Sequence, residues 1–216
     1  MQVLTFVTQK GGSGKTTALL NLAVAASKLS PKGTRILIID LDPQRSSLAW
    51  WESRQENNIG AIDIVPHELD KAISAAKQNN FDYVFIDTAA RAETVNNMAM
   101  QAADFCVLPC QPSLLDMRAA KPTIDSLKKL NRRGGFLITR ANPRGFRVGD
   151  AVSALQVHSL PVCPTAIVDR TVYRDAYAFG EGVLELESEG KAAQEIGQIW
   201  NWVKVMLNKR MEELAA

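Results

Sequence analysis

Residues 10 to 17, Lys-Gly-Gly-Ser-Gly-Lys-Thr-Thr, form a glycine-rich run that ends in a lysine and two threonines. Glycines let a backbone turn tightly and direct its N–H groups toward a bound anion. In such a run the lysine contacts the β- and γ-phosphates of a nucleotide, and the next hydroxyl binds Mg²⁺. Those roles fall on Lys15 and Thr16, and Thr17 is placed to touch the α-phosphate. The predicted nucleotide ligands are Lys10, Gly11, Gly12, Ser13, Gly14, Lys15, Thr16 and Thr17.

The run departs from the common phosphate-loop pattern G-x-x-x-x-G-K-[ST] at its start. Gln9 stands where that pattern has its first glycine, and a second lysine, Lys10, precedes Lys15. One loop of this size has little use for two lysines on the same phosphates. The extra lysine therefore indicates that a second copy of the protein completes the site.

The segments on either side of the loop support a nucleotide site. Residues 3–8 are mostly β-branched or apolar, which is typical of a buried parallel strand, and residues 16–29 have apolar positions at helical spacing. Strand, glycine loop and helix is the order that a phosphate loop requires. The helix N-terminus adds partial positive charge and free N–H donors for an anion. The alternative, a glycine-rich turn without a ligand, leaves this agreement unexplained.

Strands and helices alternate along the rest of the chain. Further strands are predicted at 34–40, 61–65, 81–87, 104–109, 135–140 and 160–163, and further helices at 46–57, 68–79, 94–103, 115–131, 147–158 and 188–213. This alternation predicts an α/β fold with a mainly parallel, twisted sheet of about seven strands and helices on both faces. We expect one P-loop NTPase-type domain over residues 1–216. Ligands of such sheets bind beyond the carboxyl ends of the strands.

Two of the predicted strands end in acidic residues. Asp40 and Asp42 follow the second strand, and Asp87 ends the fourth. A carboxylate after a hydrophobic strand commonly holds Mg²⁺, directly or through water. We assign Asp87 to Mg²⁺ and Asp42 to the attacking water, with Asp40 as a supporting metal-site acid. The alternative for each acid is a strand-end cap that accepts hydrogen bonds from loop N–H groups.

Composition excludes several classes of protein. The 216 residues are 46% hydrophobic and 22% charged, as in ordinary globular proteins. The net charge of +2 gives no overall field for nucleic acid, so any such contact requires a local basic patch. Because the first strand begins at about residue 2 and no apolar run reaches transmembrane length, we expect a cytoplasmic protein without a signal peptide. Three cysteines in such a chain indicate no disulfides.

Three segments together resemble the ParA/MinD family of deviant Walker-A ATPases: KGGSGKTT in the loop, IIDLDPQ after the second strand and FIDTAA after the fourth. The likeness covers most of the chain, including CQPSLLD at 110–116 and ITRANPRG at 138–145. It is greatest to small ParA-type partition ATPases without an N-terminal helix-turn-helix domain. The resemblance implies ATP and Mg²⁺ as cofactors and an ATP-bound homodimer that sandwiches two nucleotides.

Roles for individual residues follow from the resemblance. It implies that Lys10 reaches across to the partner's nucleotide and that Asp42 and Asp87 act on the attacking water and, through water, on Mg²⁺. It implies an ATPase that partitions DNA, is slow alone and is stimulated by a centromere-binding, ParB-type protein. The chain departs from the family at 89–91, where Ala-Ala-Arg replaces the frequent prolines and removes no ligand.

Without a helix-turn-helix domain, DNA binding is expected to be nonspecific, through phosphates, on the bacterial nucleoid. Four groups of basic residues are candidates for this contact. They are Arg140, Arg144 and Arg147; Arg170 and Arg174; Lys204, Lys209 and Arg210; and Lys128, Lys129, Arg132 and Arg133. The alternative for each group is a solvated face or a helix end that favours cations.

The last helix has an apolar face with two interpretations. This face consists of Ile196, Trp200, Val203, Leu207 and Leu214. We expect it to pack on the domain, because Trp202, Val205 and Met206 widen the apolar surface. A basic amphipathic tail that binds membrane is the alternative.

Two further questions stay open in the sequence. Cys106 and Cys110 are interpreted as small buried hydrophobes, with an iron–sulfur cluster between subunits as the alternative. The cargo is also open, since positioning of a non-DNA cargo or a relay for DNA transfer would use the same nucleotide switch.

Overall fold

A computed structural model describes the backbone of residues 1–142 and 147–215, and the side chains of those residues other than 147 and 209–215. Over this part of the chain, six parallel strands form one sheet in the order β3-β2-β4-β1-β5-β6. The strands are β1 (Gln2–Phe6), β2 (Ile36–Asp40), β3 (Ile59–Asp63), β4 (Tyr83–Asp87), β5 (Phe105–Cys110) and β6 (Gly134–Ile138).

Helices follow the strands and cover both faces of the sheet. They are α1 (Lys15–Leu29), α2 (Ser46–Glu52), α3 (Leu69–Gln78), α4 (Glu93–Ala102), α5 (Leu114–Ala119), α6 (Lys121–Lys129), α7 (Arg147–Gln156), α8 (Val172–Ala178), α9 (Val183–Leu186) and α10 (Lys191–Ala215), with a 3-10 turn at Pro66–Glu68. This arrangement confirms the predicted parallel α/β fold of P-loop type.

The strands are apolar on both faces because both faces are covered. Ile36 and Ile38 of β2 pack in the cluster under α1 and α10, whereas Leu37 and Ile39 pack in the cluster under α3 and α4. A third cluster joins β5 and β6 to α6 and α7. Near-continuous apolar runs are what a doubly covered parallel sheet requires.

The predicted seventh strand at 160–163 is wrong. Val162 makes an isolated parallel bridge to Phe136, and Pro161 and Pro164, which lack a backbone N–H, limit further pairing around it. The predicted helix at 115–131 is two helices, because α5 ends at Ala119 and α6 begins at Lys121, with Pro122 in its first turn. The predicted helix at 46–57 is shorter and ends at Glu52.

Two alternatives from the sequence are decided by burial. Ile196, Trp200, Val203 and Leu207 of α10 are buried in the cluster that includes α1, so the expected packing is confirmed for them. The side chain of Leu214 lies outside the described residues. Cys106 and Cys110 are buried in the apolar cluster of β5 and β6, as expected for small hydrophobes. Over the described residues, no helix combines the length and apolar character needed to cross a membrane.

Candidate functional site

The phosphate loop, residues 8–15, joins β1 to α1 at the carboxyl edge of the sheet. Two of its glycines adopt left-handed backbone, Gly12 with φ 73° and Gly14 with φ 87°. Residues with a Cβ atom rarely adopt this conformation, which explains why glycine stands at both positions. A Cβ on Gly14 would also lie 3.4 Å from Thr139 Cβ. The loop therefore turns closely enough for its N–H groups to surround an anion at the start of α1.

Neighbouring strand ends hold the phosphate loop in place. Gln111, after β5, donates from Nε2 to the Gly12 carbonyl at 2.9 Å, and Thr139, after β6, donates from Oγ1 to the Ser13 carbonyl at 2.6 Å. These bonds satisfy two carbonyl groups of the loop and fix its position relative to β5 and β6. Neither Gln111 nor Thr139 was among the predicted site residues, although Gln111 follows the predicted strand 104–109 and Thr139 lies within the predicted strand 135–140.

Lys15 and Asp87 form the buried centre of the site. Lys15 is 8% exposed, and burial lowers the pKa of its ammonium group, while the negative charges of Asp87 and Asp42 oppose that shift. Asp87 is fully buried at the end of β4, and burial raises its pKa to about 6. Its Oδ2 accepts hydrogen bonds from Thr16 Oγ1 at 2.8 Å and from Ser47 Oγ at 2.7 Å.

The two acids after β2 have different surroundings. Asp40 Oδ2 accepts from the backbone N–H groups of Ser47 and Leu48, and its Oδ1 accepts from that of Asp42. These bonds match the strand-end cap that the sequence left open for Asp40, and they favour that role over direct metal binding. Asp42 is half-buried, and its Oδ1 accepts from the N–H of Gln44 at 3.0 Å. Asp42 thus lies in the loop between β2 and α2, beside the centre formed by Lys15 and Asp87.

Lys10 has a different partner from Lys15 and is more exposed. Its ammonium group lies 2.7 Å from Asp116 Oδ1, and the two side chains are 41% and 5% exposed. Asp116 is in the first turn of α5, where its N–H donates to the Ser113 side chain. The two lysines of one loop therefore have separate partners. Lys10 is held by α5 at the outer side, and Lys15 lies near Asp87 inside.

Comparison with known proteins agrees with this geometry. The model of the VirC1 protein family matches residues 1–200. A protein of Gloeobacter kilaueensis, named "Maintenance of carboxysome distribution protein A", is 30% identical to this chain over 200 residues. The match covers 90% of this chain and 88% of that protein. The chain belongs to the ParA/MinD family of ATPases.

Solved structures share the fold of this ParA/MinD-family chain. A chain of the MinC:MinD cell division protein complex of Aquifex aeolicus superimposes with a TM-score of 0.79, at 21% identity, over 94% of this chain and 96% of that chain. MinD of Pyrococcus horikoshii, solved with Mg-ADP, gives a TM-score of 0.75 at 22% identity, over 94% and 95%. Nucleotide and magnesium binding therefore occur within this family of folds.

The residues around Asp87 fit a magnesium ion. Its Oδ1 is buried and has no hydrogen-bond partner among the described residues, which is costly for a carboxylate oxygen. Mg²⁺ keeps several waters and is usually bound by one or two carboxylates together with substrate phosphates. The described part of the chain accordingly contains no cluster of three or more His, Cys, Asp or Glu that could bind a metal alone. Thr16 and Asp87 would hold the ion beside the phosphates.

Two adjoining cavities of about 150 and 170 Å³ lie beside Thr17, on the side of α8. Thr17, Tyr173 and Arg174 line both of them. The Tyr173 hydroxyl is buried without a hydrogen-bond partner among the described residues, and burial raises its pKa. When phosphates occupy the loop, the base and ribose of a nucleotide would lie in this space. Tyr173 was missed in the sequence because α8 is too short to give a periodic signal.

The basic residues that were predicted to contact DNA lie in two different regions of the structure. Arg170 pairs with Glu195, and Arg140, Arg170 and Arg174 line the cavity near Thr17, so they lie beside the candidate nucleotide site. Arg133 Nη2 donates to the Met206 carbonyl of α10 at 2.6 Å. That bond joins the end of α6 to α10 and brings two predicted groups together. Arg144 lies outside the described residues, as do the side chains of Arg147, Lys209 and Arg210.

We use the name basic patch for the described cations near this α6–α10 junction. They are Lys128, Lys129, Arg132, Arg133 and Lys204. Lys128 and Lys129 are exposed, and Arg132, Arg133 and Lys204 are half-buried. Because α6 leads into the beginning of β6, Lys128 and Lys129 lie at the opposite edge of the sheet from the phosphate loop.

Proposed function

We propose that the protein is an ATPase whose active site is completed by a second copy of the chain. The observation that carries this proposal is the contrast between the two lysines of the phosphate loop. Lys15 is buried near Asp87, whereas Lys10 is 41% exposed and is paired with Asp116. A lysine in that outer position is poorly placed for the phosphates of its own chain and is accessible to those of another.

Within one chain, the inner residues position the phosphates and the water. The N–H groups of the phosphate loop and the ammonium group of Lys15 bind the β- and γ-phosphates. Thr16 and Asp87 would hold Mg²⁺, which would neutralise charge that develops on the phosphates. Asp42, in the adjacent loop, orients the water that attacks the γ-phosphorus; the bond to the β–γ bridging oxygen breaks, this oxygen leaves with ADP, and the protons of the water pass to the phosphate product and to solvent.

The partner's Lys10 supplies the remaining positive charge to that transition state, so hydrolysis depends on dimerisation. Phosphoryl transfer is mostly positioning and charge stabilisation, and a missing cation slows it severely. We therefore expect slow hydrolysis by the protein alone. ATP binding switches the protein from monomer to dimer, and hydrolysis returns it to the monomer.

Substitution of Asp42 tests this assignment. Asp42→Ala should lower phosphate release about 100-fold, as expected for loss of a residue that positions the reacting water. The ATP-bound dimer should persist, as seen by sedimentation velocity. Asp63→Ala is the matched control, because Asp63 also ends a strand but pairs with Arg45 at 2.9 Å. Normal hydrolysis by Asp42→Ala would remove Asp42 from the reaction.

We further propose that the ATP-bound dimer partitions DNA, binds nucleoid DNA without sequence preference, and is reset by a ParB-type protein. The basic patch supports this proposal, because its two exposed lysines, Lys128 and Lys129, lie at the edge of the sheet opposite the nucleotide. A dimer presents two such patches, and their contacts combine. Binding should therefore require ATP and weaken steeply with salt.

Fluorescence anisotropy with a labelled random duplex tests the DNA contact. Lys128→Ala/Lys129→Ala should weaken ATP-dependent binding and reduce the slope of log K against log salt by about 0.9 for each phosphate that the protein no longer neutralises. Lys71→Ala/Lys77→Ala on α3 is the control, since it removes two exposed lysines elsewhere. Equal effects of the two double variants would reject the basic patch as the DNA site.

Positioning of a non-DNA cargo is a second candidate function. Its support is the similarity to a protein named for maintenance of carboxysome distribution, which covers most of both chains. Affinity purification of the Asp42→Ala variant from the native cell distinguishes the two candidates. Recovery of a centromere-binding protein favours DNA partition, and recovery of components of a protein assembly favours the second candidate.

A further inference from the structure

We propose that the first turn of α5 is a surface on which a second copy of this chain docks, with Leu114 and Leu115 as its apolar contact. This inference rests on the proposed ATP-dependent dimer and names residues of its interface. Leu114 and Leu115 are 71% and 75% exposed. Two adjacent leucines in water are unfavourable, and burial against another molecule would remove that cost.

The position of the two leucines identifies the second copy as their partner. They directly precede Asp116, the residue that holds Lys10. A copy whose nucleotide receives Lys10 must approach the outer side of the phosphate loop. The turn that carries Leu114 and Leu115 is part of that same side, so the approaching copy covers it.

Symmetry strengthens the contact. In a twofold dimer the same surface of each copy forms the interface, so the contact made by the two leucines occurs twice. The charged pair Lys10–Asp116 borders the leucines. An apolar contact with charged residues at its border is the usual anatomy of a protein interface.

Another exposed aliphatic side chain serves as the matched control. Val157 is 75% exposed and follows the last residue of α7. Because α7 begins after the carboxyl end of β6 and runs back, its end lies at the opposite edge of the sheet from the phosphate loop. Val157 should therefore remain in solvent in the dimer.

Sedimentation equilibrium with ATP, in the Asp42→Ala background, measures the dimer dissociation constant. Leu114→Ser/Leu115→Ser should raise this constant at least about tenfold, and Val157→Ser should change it less than about twofold. Binding of a fluorescent ATP analogue at monomer concentrations should be unchanged by both, which shows that the loop is intact. Dimerisation of the double serine variant as tightly as its parent overturns the inference. A parent that stays monomeric with ATP instead overturns the proposed function.

Cross-linking gives a second measurement that does not depend on weakening the dimer. The three native cysteines are buried, so Leu115→Cys introduces the exposed thiol. A short bismaleimide should join two Leu115→Cys chains when ATP is present and not when ADP is present. Val157→Cys should give no ATP-dependent product. Equal cross-linking of the two cysteine variants would contradict the assignment of this surface.

Discussion

The inner and outer sides of the phosphate loop place the same residue type in different physical environments. Lys15 on the inner side is buried, and desolvation lowers the pKa of its ammonium group, against the attraction of Asp87 and Asp42. Lys10 on the outer side is 41% exposed and rests on Asp116. A buried ammonium group requires a strong anionic partner, whereas an exposed ammonium group can exchange one partner for another at a small cost in free energy. The difference indicates that Lys15 binds the nucleotide of its own chain, and that Lys10 is free to contact the nucleotide of a second chain.

Removal of Lys15 should have the largest effect. Lys15→Ala loses the charge-assisted bonds to the phosphates, so ATP affinity should fall about 100-fold or more, measured by calorimetry. Lys28→Ala, on the last turn of the same helix, should leave affinity unchanged because Lys28 pairs with Glu56 and Glu185. Retained ATP affinity in Lys15→Ala would exclude the inner side of the loop as the phosphate site.

Removal of Lys10 should weaken dimerisation while leaving ATP binding by the monomer nearly unchanged. Lys10→Ala should change the affinity of the monomer for ATP less than about threefold, yet weaken the ATP-bound dimer at least about tenfold. Calorimetry gives the first quantity and sedimentation velocity the second. If Lys10→Ala formed a normal dimer and hydrolysed ATP normally, the distinction between the two sides of the loop would disappear.

The inner side should also respond to pH. Asp87 has a pKa raised to about 6 by burial, and Mg²⁺ needs its deprotonated form, so magnesium-dependent ATP binding should strengthen about tenfold per unit as pH approaches 6 from below. In the absence of ligand, the free energy of unfolding depends on pH in the opposite sense. Because the folded-state pKa of Asp87 lies above the ordinary value of 3.8, the protonated carboxyl stabilises the folded protein, and that stabilisation is lost as pH rises through about 6. Asp87→Asn should remove both dependences in calorimetric and denaturation titrations.

The smallest predicted effect concerns Asp116. It competes with the partner's phosphates for the Lys10 ammonium group, so Asp116→Asn should tighten the ATP-bound dimer by about threefold to fivefold, the range for a partly exposed ion pair. Asp125→Asn is the control, because Asp125 is also paired with a lysine, Lys121, at 2.8 Å but on the exposed face of α6. A weaker dimer in Asp116→Asn would mean that Asp116 presents Lys10 to the partner instead of competing for it.

Local chemistry explains which features could be predicted from the sequence. The turn of the phosphate loop and the position of Asp87 at a strand end were predictable, because glycines with positive φ and acids after apolar strands leave local signals. The contact between Lys10 and Asp116 leaves none, since it joins segments far apart in the chain. Helices α8 and α9 are too short for periodicity, so the cavity lined by Tyr173 was missed.

The proposed function requires that each active site contains Lys10 from the other chain. This can be measured by mixing two inactive variants, Lys10→Ala and Asp42→Ala, before ATP is added. In the mixed dimer, the nucleotide of the Lys10→Ala chain has Asp42 in its own chain and Lys10 from the partner. We predict that phosphate release rises well above the sum of the two variants, to about a tenth or more of the wild-type rate. Release equal to that sum at all mixing ratios would mean that Lys10 does not act on the nucleotide of the partner chain.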